Sequence, residues 1–587
     1  MAKSATFQQT LVLVYRFLLC LFFGEVFSAQ ILGMAGLYRG FLPPLFTLLT
    51  ALVAFIIYTR WDSQQFLKSF PNPAATAPLL DHLAAAAGCL ILLGLIWIPT
   101  GFWPLTPISD VLHWDAGAYH LPKAVELFRT GNVWDLSIPY GEYPFGFESL
   151  FSFVLVLTGD ERLYGLVTLL IGLFFILNLW LLARRYTRLP GGLLWLVTLL
   201  IVTSELITVK GNPFYIFLDQ IYMVGKNDLF TAVGVMSAIL HAPIGRSKDE
   251  NQMHLPGLVY SSLLVLATKP AGMFVVAPLW LLVLFQWVQN WLNARNLPWK
   301  EIGFAALCIL PGAAWIVRNL LLIGVIFPEG VWIMADWSIS NNLTNPFFYA
   351  HLPRNFQFLL AVVGLTLLFA IWKRVPYWRI AATFIVLLVA FAFTPESAFQ
   401  KTTQEPTRTA WRLGIALVAY EWTMLLCLVD GLLAKPLGQF FASLQKQRRA
   451  QTVVGVMILA AVCGFIFQNR FLLEFNPQNS IVLRDDFRDP AGVDGYHSVY
   501  DYVQRNLRHK TIQIEGGVFY YLYGPGFTNS PTKLHYPLGR SNQVKQLEPE
   551  YYVVVNRPEF TPGETFKQTW VLLYEDETGK IYQKRVH

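Results

Sequence analysis

Apolar runs of about 17–23 residues recur between residues 10 and 467, the length an α-helix needs to cross a ~30 Å hydrocarbon core. No other pattern constrains this chain as strongly, because a segment inside a bilayer must satisfy its own backbone polar groups. The runs place spans at 10–27, 41–58, 83–98, 163–183, 191–209, 229–241, 255–268, 271–291, 302–324, 356–372, 377–393, 410–428 and 452–467. The short pieces 229–241 and 255–268 are expected to extend into their flanks. Composition agrees: 55% of the residues are hydrophobic and 14% charged, with a mean hydropathy of +0.45, where a soluble domain carries roughly 25% charged residues. The run at 10–27 has no small-residue cleavage site before the next span, so it reads as a helix rather than a signal peptide. Cys20, Cys89, Cys308, Cys427 and Cys463 all fall within spans. They read as small apolar packing residues, not as a disulfide or metal framework.

The net charge of +7 is no nucleic-acid signal, because its Lys and Arg are spread over short loops. With a cytoplasmic N-terminus and alternating spans, one set of loops carries Arg60 and Lys68, Arg184, Arg185 and Arg188, Arg246 and Lys248, Arg295 and Lys300, Lys373, Arg374 and Arg379, and Lys435, Lys446, Arg448 and Arg449. The other set is poorer in basic groups, as the positive-inside rule expects. That puts 113–148, 210–228, 325–355, 394–408 and the C-terminal tail outside. The apolar piece 144–158 (PFGFESLFSFVLVLT) is short and contains Glu148, so it is expected to be a juxtamembrane or interfacial helix closing the first outer loop. If it spanned, every later loop would change sides.

After residue 468 the chain turns polar. Residues 496–507 suggest a helix, and 511–515, 551–556, 569–574 and 580–585 suggest strands by their β-branched and aromatic content. The fold class is therefore an α-helical polytopic membrane protein of about 13 spans with a small C-terminal extracytoplasmic α/β domain. The membrane domain covers 1–468, with an outer loop at 99–162, and the α/β domain covers 469–587. Gly524-Pro525-Gly526 reads as a turn, because no helix suited to phosphate follows it. Tyr520, Tyr521 and Tyr523 read as alternating core and surface residues of a strand, with an acceptor groove as their other use.

The polar residues concentrate in 113–148, HWDAGAYHLPKAVELFRTGNVWDLSIPYGEYPFGFE. Here the chain resembles the GT-C superfamily of polyprenyl-phosphate-sugar-dependent membrane glycosyltransferases, the protein O-mannosyltransferase and aminoarabinose-transferase group in particular. HWDAGAYHLPKAVELFRTGN looks like that family's first external loop, and Asp115 takes the position of its active-site acid. Many members carry an Asp-Glu pair there, where this chain has Asp115-Ala116. TGDERLYGLVTLLIGLFFILNLWLLARRY, GKNDLFTAVGVM, LATKPAGM and PGAAWIVRNLLLIGVIFPEG resemble later segments. They bring in Lys226 and Asp228, Lys269, and Arg318 with Asn319. The resemblance covers roughly residues 83–330 well and implies in-line transfer of a sugar from a polyprenyl-phosphate donor, with inversion.

The chemistry asks for these groups independently. A leaving phosphate needs a cationic clamp, for which Lys226, Lys269 and Arg318 are the candidates, since a charge at membrane depth is functional by default. An acceptor hydroxyl needs a base or an orienting carboxylate, for which Asp115 is best placed and Asp228 second. Tyr119 and His120 lie beside Asp115 and suit substrate contact; Asn319 accompanies Arg318. Each has an ordinary structural reading too. Asp115 and Asp228 are positioned to cap helices, and Lys226, Lys269, Arg318 and the weaker phosphate candidate Arg412 suit interface anchors. Asp135 and Glu142 read as solvated loop charges. His113 and His120 leave a divalent metal cofactor open, though their spacing matches no tight ligand pattern, and no metal ligand is assigned.

The expected activity is that of an integral membrane glycosyltransferase of a bacterial plasma membrane, acting on its outer face. Its partners would be a polyprenyl-phosphate-linked sugar, a glycan, lipid or protein acceptor, and membrane lipids, with no nucleic acid. Two other classes compete. A transporter or flippase of lipid-linked or anionic solutes would use the same cations but predicts an internal repeat, and none is visible in the sequence. A non-catalytic assembly subunit would keep the fold and lose the chemistry.

Overall fold

The computed structural model describes residues 2–62, 70, 78–100, 115–134, 138, 140–207, 217, 221, 224–244, 253–295, 297–326, 354–373, 378–392, 414–469, 498–532, 548–555, 557 and 559–585. His113, Trp114, Asp135, Lys210, Arg412 and most of the expected outer loops at 325–355 and 394–408 lie outside the described residues.

The chain is an integral membrane protein built as a helical bundle. Its helices are α1 (Ala2–Ala35), α2 (Leu42–Asp62), α3 (Pro78–Thr100), α4 (Leu121–Thr130), α5 (Gly146–Thr158), α6 (Tyr164–Tyr186), α7 (Gly191–Ile207), α8 (Asp228–His241), α9 (Leu255–Thr268), α10 (Pro270–Ala294), α11 (Trp299–Ile309), α12 (Ala314–Ile323), α13 (Arg354–Lys373), α14 (Trp378–Ala392), α15 (Ile415–Gln445) and α16 (Arg448–Asn469). Among the described residues, seven helical segments are long and apolar enough to cross a membrane, and seven shorter apolar helices pack with them. α6 lies at the centre with nearly all its side chains buried. α2, α10, α13 and α16 turn Leu48, Leu52, Phe285, Leu292, Leu368, Ile371, Val453 and Met457 outward, which is how lipid-facing surfaces look. Where apolar contact between helices offers no net drive, close approach of backbones supplies the packing. At the α1–α2 crossing, a Cβ added to Gly24 would fall 2.8 Å from the Cβ of Ala51.

The two short spans do not lengthen as expected. α8 and α9 have 14 residues each, about 21 Å of helix. α8 ends where Ala242 turns extended, and α9 is bounded by Pro256 at its start and the extended Lys269 at its end. Both are buried inside the bundle, so neither has to match the thickness of the hydrocarbon.

Hydrogen bonds tie the helices together at two opposite ends. At one end Arg185 donates to the Leu240 carbonyl and, at 3.1 Å, to that of Ala242, while the Tyr186 hydroxyl donates to the Ile244 carbonyl at 3.1 Å. These donors satisfy carbonyls that the C-terminus of α8 leaves without helical partners. The Asp81 carboxylate of α3 accepts from the N–H groups of Gly192 and Leu193 at 2.8 and 3.1 Å, capping α7 from a neighbouring helix.

The opposite end carries α4, α5 and the C-terminal domain. That domain contains α17 (Val499–Asn506), β1 (Thr511–Glu515), β2 (Ser530–Thr532), β3 (Tyr551–Val555), α18 (Glu564–Thr569), β4 (Trp570–Glu575) and β5 (Gly579–Lys584). The five strands form one sheet in the order β2-β1-β3-β5-β4, parallel at β2-β1-β3 and antiparallel at β3-β5-β4. All five residues of β3 are buried, as a central strand requires. Tyr520, Tyr521 and Tyr523 are not in a strand. They form a 3-10 turn, Tyr520–Tyr523, and all are buried, because this turn docks the domain on the bundle. The Tyr523 hydroxyl donates to the Pro122 carbonyl at 3.4 Å, Arg129 donates to the Ser530 hydroxyl at 2.9 Å and stacks over the Tyr523 ring, and Tyr520 donates to Glu161.

These contacts also place α5. One of its ends adjoins α4, and the other leads to Glu161. Both α4 and Glu161 touch the one C-terminal domain, so α5 does not cross the membrane. It is buried on every face from Gly146 to Ser152. As the sequence suggested, it does not span, but it is plugged into the bundle rather than lying along an interface.

Replacing Asp81 with Ala leaves two buried N–H groups of α7 without an acceptor, at a cost of about 1–2 kcal/mol. The detergent-solubilised variant is expected to unfold at a lower temperature than the parent, and Asp81→Asn to recover most of the difference; a thermal melt of the three proteins measures both.

Candidate active site

The chain before α4 carries an irregularity that its sequence imposes. Ala116–His120 is a π-turn, and the Leu121 N–H donates to the Ala116 carbonyl five residues back. Pro122 follows and has no N–H to continue the α-helical pattern. Such widened turns concentrate at functional sites. Asp115 opens the turn in helical conformation, and its side chain makes no capping hydrogen bond. Instead its carboxylate lies 3.0 Å from the Lys226 ammonium.

Lys226 arrives there because Gly225 precedes it. Gly225 has φ +76°, and a Cβ on it would fall 2.8 Å from the Cβ of Ala116. Only glycine takes this conformation cheaply and lets the two backbones approach. Two residues on, Asp228 begins α8, with Asn227 rather than Asp228 at the cap position. A carboxylate in that first turn is favoured by the helix dipole, and this one is 2.9 Å from Lys269. Lys269 sits between α9 and α10 with φ −150° and ψ 117°. The following Pro270 disfavours helical backbone at the residue before it. The sequence Thr-Lys-Pro thus breaks the helix and holds the ammonium at the joint.

The two pairs share one asymmetry. The side chains of Lys226 and Asp228 are 3% exposed, whereas those of Asp115 and Lys269 are 18% exposed. A buried cation therefore backs a reachable carboxylate, and a buried carboxylate backs a reachable cation. The two buried partners are separated by a single residue.

A second layer lies beneath. Glu148 of α5 accepts from His120 Nδ1 at 2.6 Å and from Lys123 Nζ at 2.8 Å, and Lys123 also donates to the Pro144 carbonyl at 3.0 Å. With the proton on Nδ1, Nε2 carries the ring's lone pair. Burial lowers the affinity of His120 for a second proton, opposed by Glu148 and by Asp115. Burial likewise lowers the Lys123 ammonium, opposed mainly by Glu148. The Tyr119 ring packs at a tilt against those of His120 and Tyr140, with centroids 4.2 and 4.5 Å away, and Tyr140 meets Tyr143 at 5.1 Å.

Arg318 is buried, and its guanidinium is turned inward. It donates to the carbonyls of Val133 and Tyr143 at 3.0 and 3.1 Å and to Asn319 Oδ1. Asn319 in turn donates to the carbonyls of Glu142 and Ile326 at 2.7 and 2.8 Å. In this arrangement Arg318 and Asn319 staple the loop between α4 and α5, and Arg318 neither snorkels nor reaches outward as a phosphate clamp. Glu142, read from the sequence as a solvated charge, is fully buried, because the stapled loop folds back over it.

The structure thus brings Asp115, Lys226, Asp228, Lys269, Tyr119 and His120 together, with Arg318 and Asn319 holding the adjoining loop. It adds Lys123, Glu142, Glu148, Tyr140 and Tyr143. Glu148 had a visible signal, a carboxylate inside an otherwise apolar helix. Among the described residues no three His, Cys, Asp or Glu side chains are grouped to hold a metal ion; His120 is engaged with Glu148, and His113 lies outside those residues. Apart from His120, the cluster holds four cations (Lys123, Lys226, Lys269, Arg318) and four carboxylates (Asp115, Glu142, Glu148, Asp228).

No known family model and no curated protein matches the chain. Among solved structures, the chain is similar to ArnT from Cupriavidus metallidurans bound to undecaprenyl phosphate. The identity is 15% and the TM-score 0.46, with 84% of this chain and 97% of that chain covered.

Two outcomes follow from this geometry. Gly225→Ala forces both the strained φ and the clash with Ala116, a cost of about 1–3 kcal/mol, and separates Lys226 from Asp115. Yield and thermal midpoint should both fall, whereas Gly303→Ala within α11, where an added Cβ meets nothing within 4 Å, should lower neither. For His120, the folded protein binds a proton less readily than the unfolded chain. Stability from this group is therefore complete above an unfolded pKa of roughly 6.5 and is lost as pH falls below it, until the lowered folded pKa is reached. The thermal midpoint should drop on acidification from about pH 7, and the slope should flatten in His120→Gln.

Proposed function

We propose that this protein transfers a sugar from a polyprenyl-phosphate donor to a hydroxyl acceptor at the end of the bundle that carries Asp115. The observation that carries this reading is the asymmetry of the two ion pairs. Each offers outward one of the two groups the reaction needs, a carboxylate for the acceptor and a cation for the phosphate, and each is fixed by a buried counter-charge.

In the proposed course the acceptor oxygen attacks the anomeric carbon and its proton passes to the Asp115 carboxylate. The bond from that carbon to the phosphate oxygen breaks on the opposite face, its electron pair staying with the leaving polyprenyl phosphate. Lys269 meets the charge that develops there, in a setting of low dielectric where such an interaction is strong. Lys226 and Asp228 orient the two reacting groups. Tyr119, with its neighbouring rings, packs against the sugar, and Glu148 holds His120 beneath it. The site end is extracytoplasmic in this reading. Arg184, Arg185 and Arg188 at the other end face the cytoplasm, as their charge favours, and the membrane is a bacterial plasma membrane.

Asp115→Asn keeps the shape and removes the proton acceptor. Transfer of radiolabelled sugar from an undecaprenyl-phosphate-linked donor should fall about 100-fold to 10,000-fold, with the protein still folded and still binding undecaprenyl phosphate. Lys269→Ala should instead weaken the binding of undecaprenyl phosphate. Unchanged transfer in Asp115→Asn would remove Asp115 as the proton acceptor, and absence of transfer in the parent would leave a non-catalytic subunit as the better description.

A further inference from the structure

A cavity of about 350 Å³ opens where the C-terminal domain meets the bundle. Its lining comes from three separate pieces of chain: Asp160 and Glu161 between α5 and α6, Gln504 of α17, and the turn that carries Tyr520, Tyr521 and Phe527. None of the two ion pairs' residues lines it, and the mechanism above leaves it unused.

Its chemistry narrows the occupant. No Lys, Arg or His lines it among the described residues. Of its two carboxylates, Asp160 is taken by the adjacent Arg162, which leaves Glu161 to give the cavity its acceptor character. The Tyr520 hydroxyl already donates to Glu161 and packs beside Phe527, and the Gln504 amide nitrogen donates to the Tyr521 carbonyl at 2.8 Å, which leaves the amide oxygen as an acceptor. A ligand rich in O–H donors fits these acceptors. The aromatic rings suit a ligand that also has an apolar face. The remaining wall is backbone: Gly524 and Gly526 have φ of +65° and +64°, and a Cβ on Gly526 would meet nothing closer than 4.0 Å, so a ligand can lie flat on the peptide groups. Hydroxyl donors around a ring with one C–H face describe a pyranose, and the volume lies within the ordinary range for a small-ligand site.

We infer that this cavity binds a sugar unit of the acceptor, making the acceptor a glycan that is gripped at a residue other than the one that reacts. The inference rests on the transfer reading above and adds the acceptor's class to it. The C-terminal domain then acts as a carbohydrate-recognition element, and the Tyr520–Glu161 contact keeps its cavity in register with the loop that carries Asp115.

The test uses the full chain in nanodiscs against an immobilised array of mono- to tetrasaccharides of glucose, mannose, galactose and N-acetylglucosamine, with short peptides and lipid-only spots as other occupants. Binding of undecaprenyl phosphate is measured in parallel. The parent should bind at least one saccharide. Phe527→Ala should weaken that binding roughly tenfold, and so should Glu161→Gln, which keeps an acceptor for Tyr520 and guards against a folding defect in the first variant. Both should bind undecaprenyl phosphate as the parent does. No saccharide binding, binding as strong as the parent's in both variants, or capture of peptide or lipid spots instead would overturn the inference. Undecaprenyl phosphate binding without saccharide binding removes the cavity's role alone, whereas variant-sensitive saccharide binding without undecaprenyl phosphate binding keeps the cavity and removes the donor reading.

Discussion

The site depends on the rule that a charge buried at membrane depth must find its counter-charge. Lys226 and Asp228 are almost wholly shielded from solvent, and an isolated ion there would cost several kcal/mol. Each is matched, by Asp115 and by Lys269, from different parts of the chain. The matches draw the π-turn before α4, the start of α8 and the joint between α9 and α10 to one place. Because Lys226 and Asp228 have opposite signs and one residue between them, the turn at 225–228 acts as the hinge pin of the arrangement. Gly225 is what lets that turn lie against Ala116.

Around this pin the remaining polar residues act as fasteners. Arg318 and Asn319 close the loop before α5 by taking three of its backbone carbonyls, and Asn319 also takes that of Ile326. Glu148 secures His120 and Lys123. The C-terminal domain presses on α4 through Arg129 and Pro122 and on the connection between α5 and α6 through Glu161. The cluster is thus enclosed by elements far apart in sequence, and α5, buried on every face, fills the space beneath it.

Much of this was legible in the residues. Hydropathy found the helices, because lipid demands long apolar runs, and loop charge found which ends lie together: Arg185 and His241 share one end, Asp115 and Lys269 the other. The pre-proline position of Lys269 fixed its extended backbone, and β-branched content found four of the five strands. Four features were hidden for physical reasons. Local pattern does not say which of many opposite charges will pair, so Asp115–Lys226 had no signature. Glu142 looked solvated because nothing local shows that Arg318 and Asn319 fold its loop inward. The tyrosines at 520–523 carry β propensity, but contact with α4 and α6 decided their conformation, as tertiary context commonly does. Ser530–Thr532 was missed as a strand because a three-residue edge containing Pro531 carries almost no alternation.

The two ion pairs have a direction as well as a strength. Exchanging Asp115 and Lys226 would preserve their attraction and invert what the pair shows to a ligand, turning an anionic face cationic while the fold stayed content. The same holds for Asp228 and Lys269. Among chains of this architecture, retention of opposite charge at these positions therefore reports only that the bundle closes. Which member of each couple points outward is a separate trait, and for the transfer we propose it is that handedness of polarity which matters.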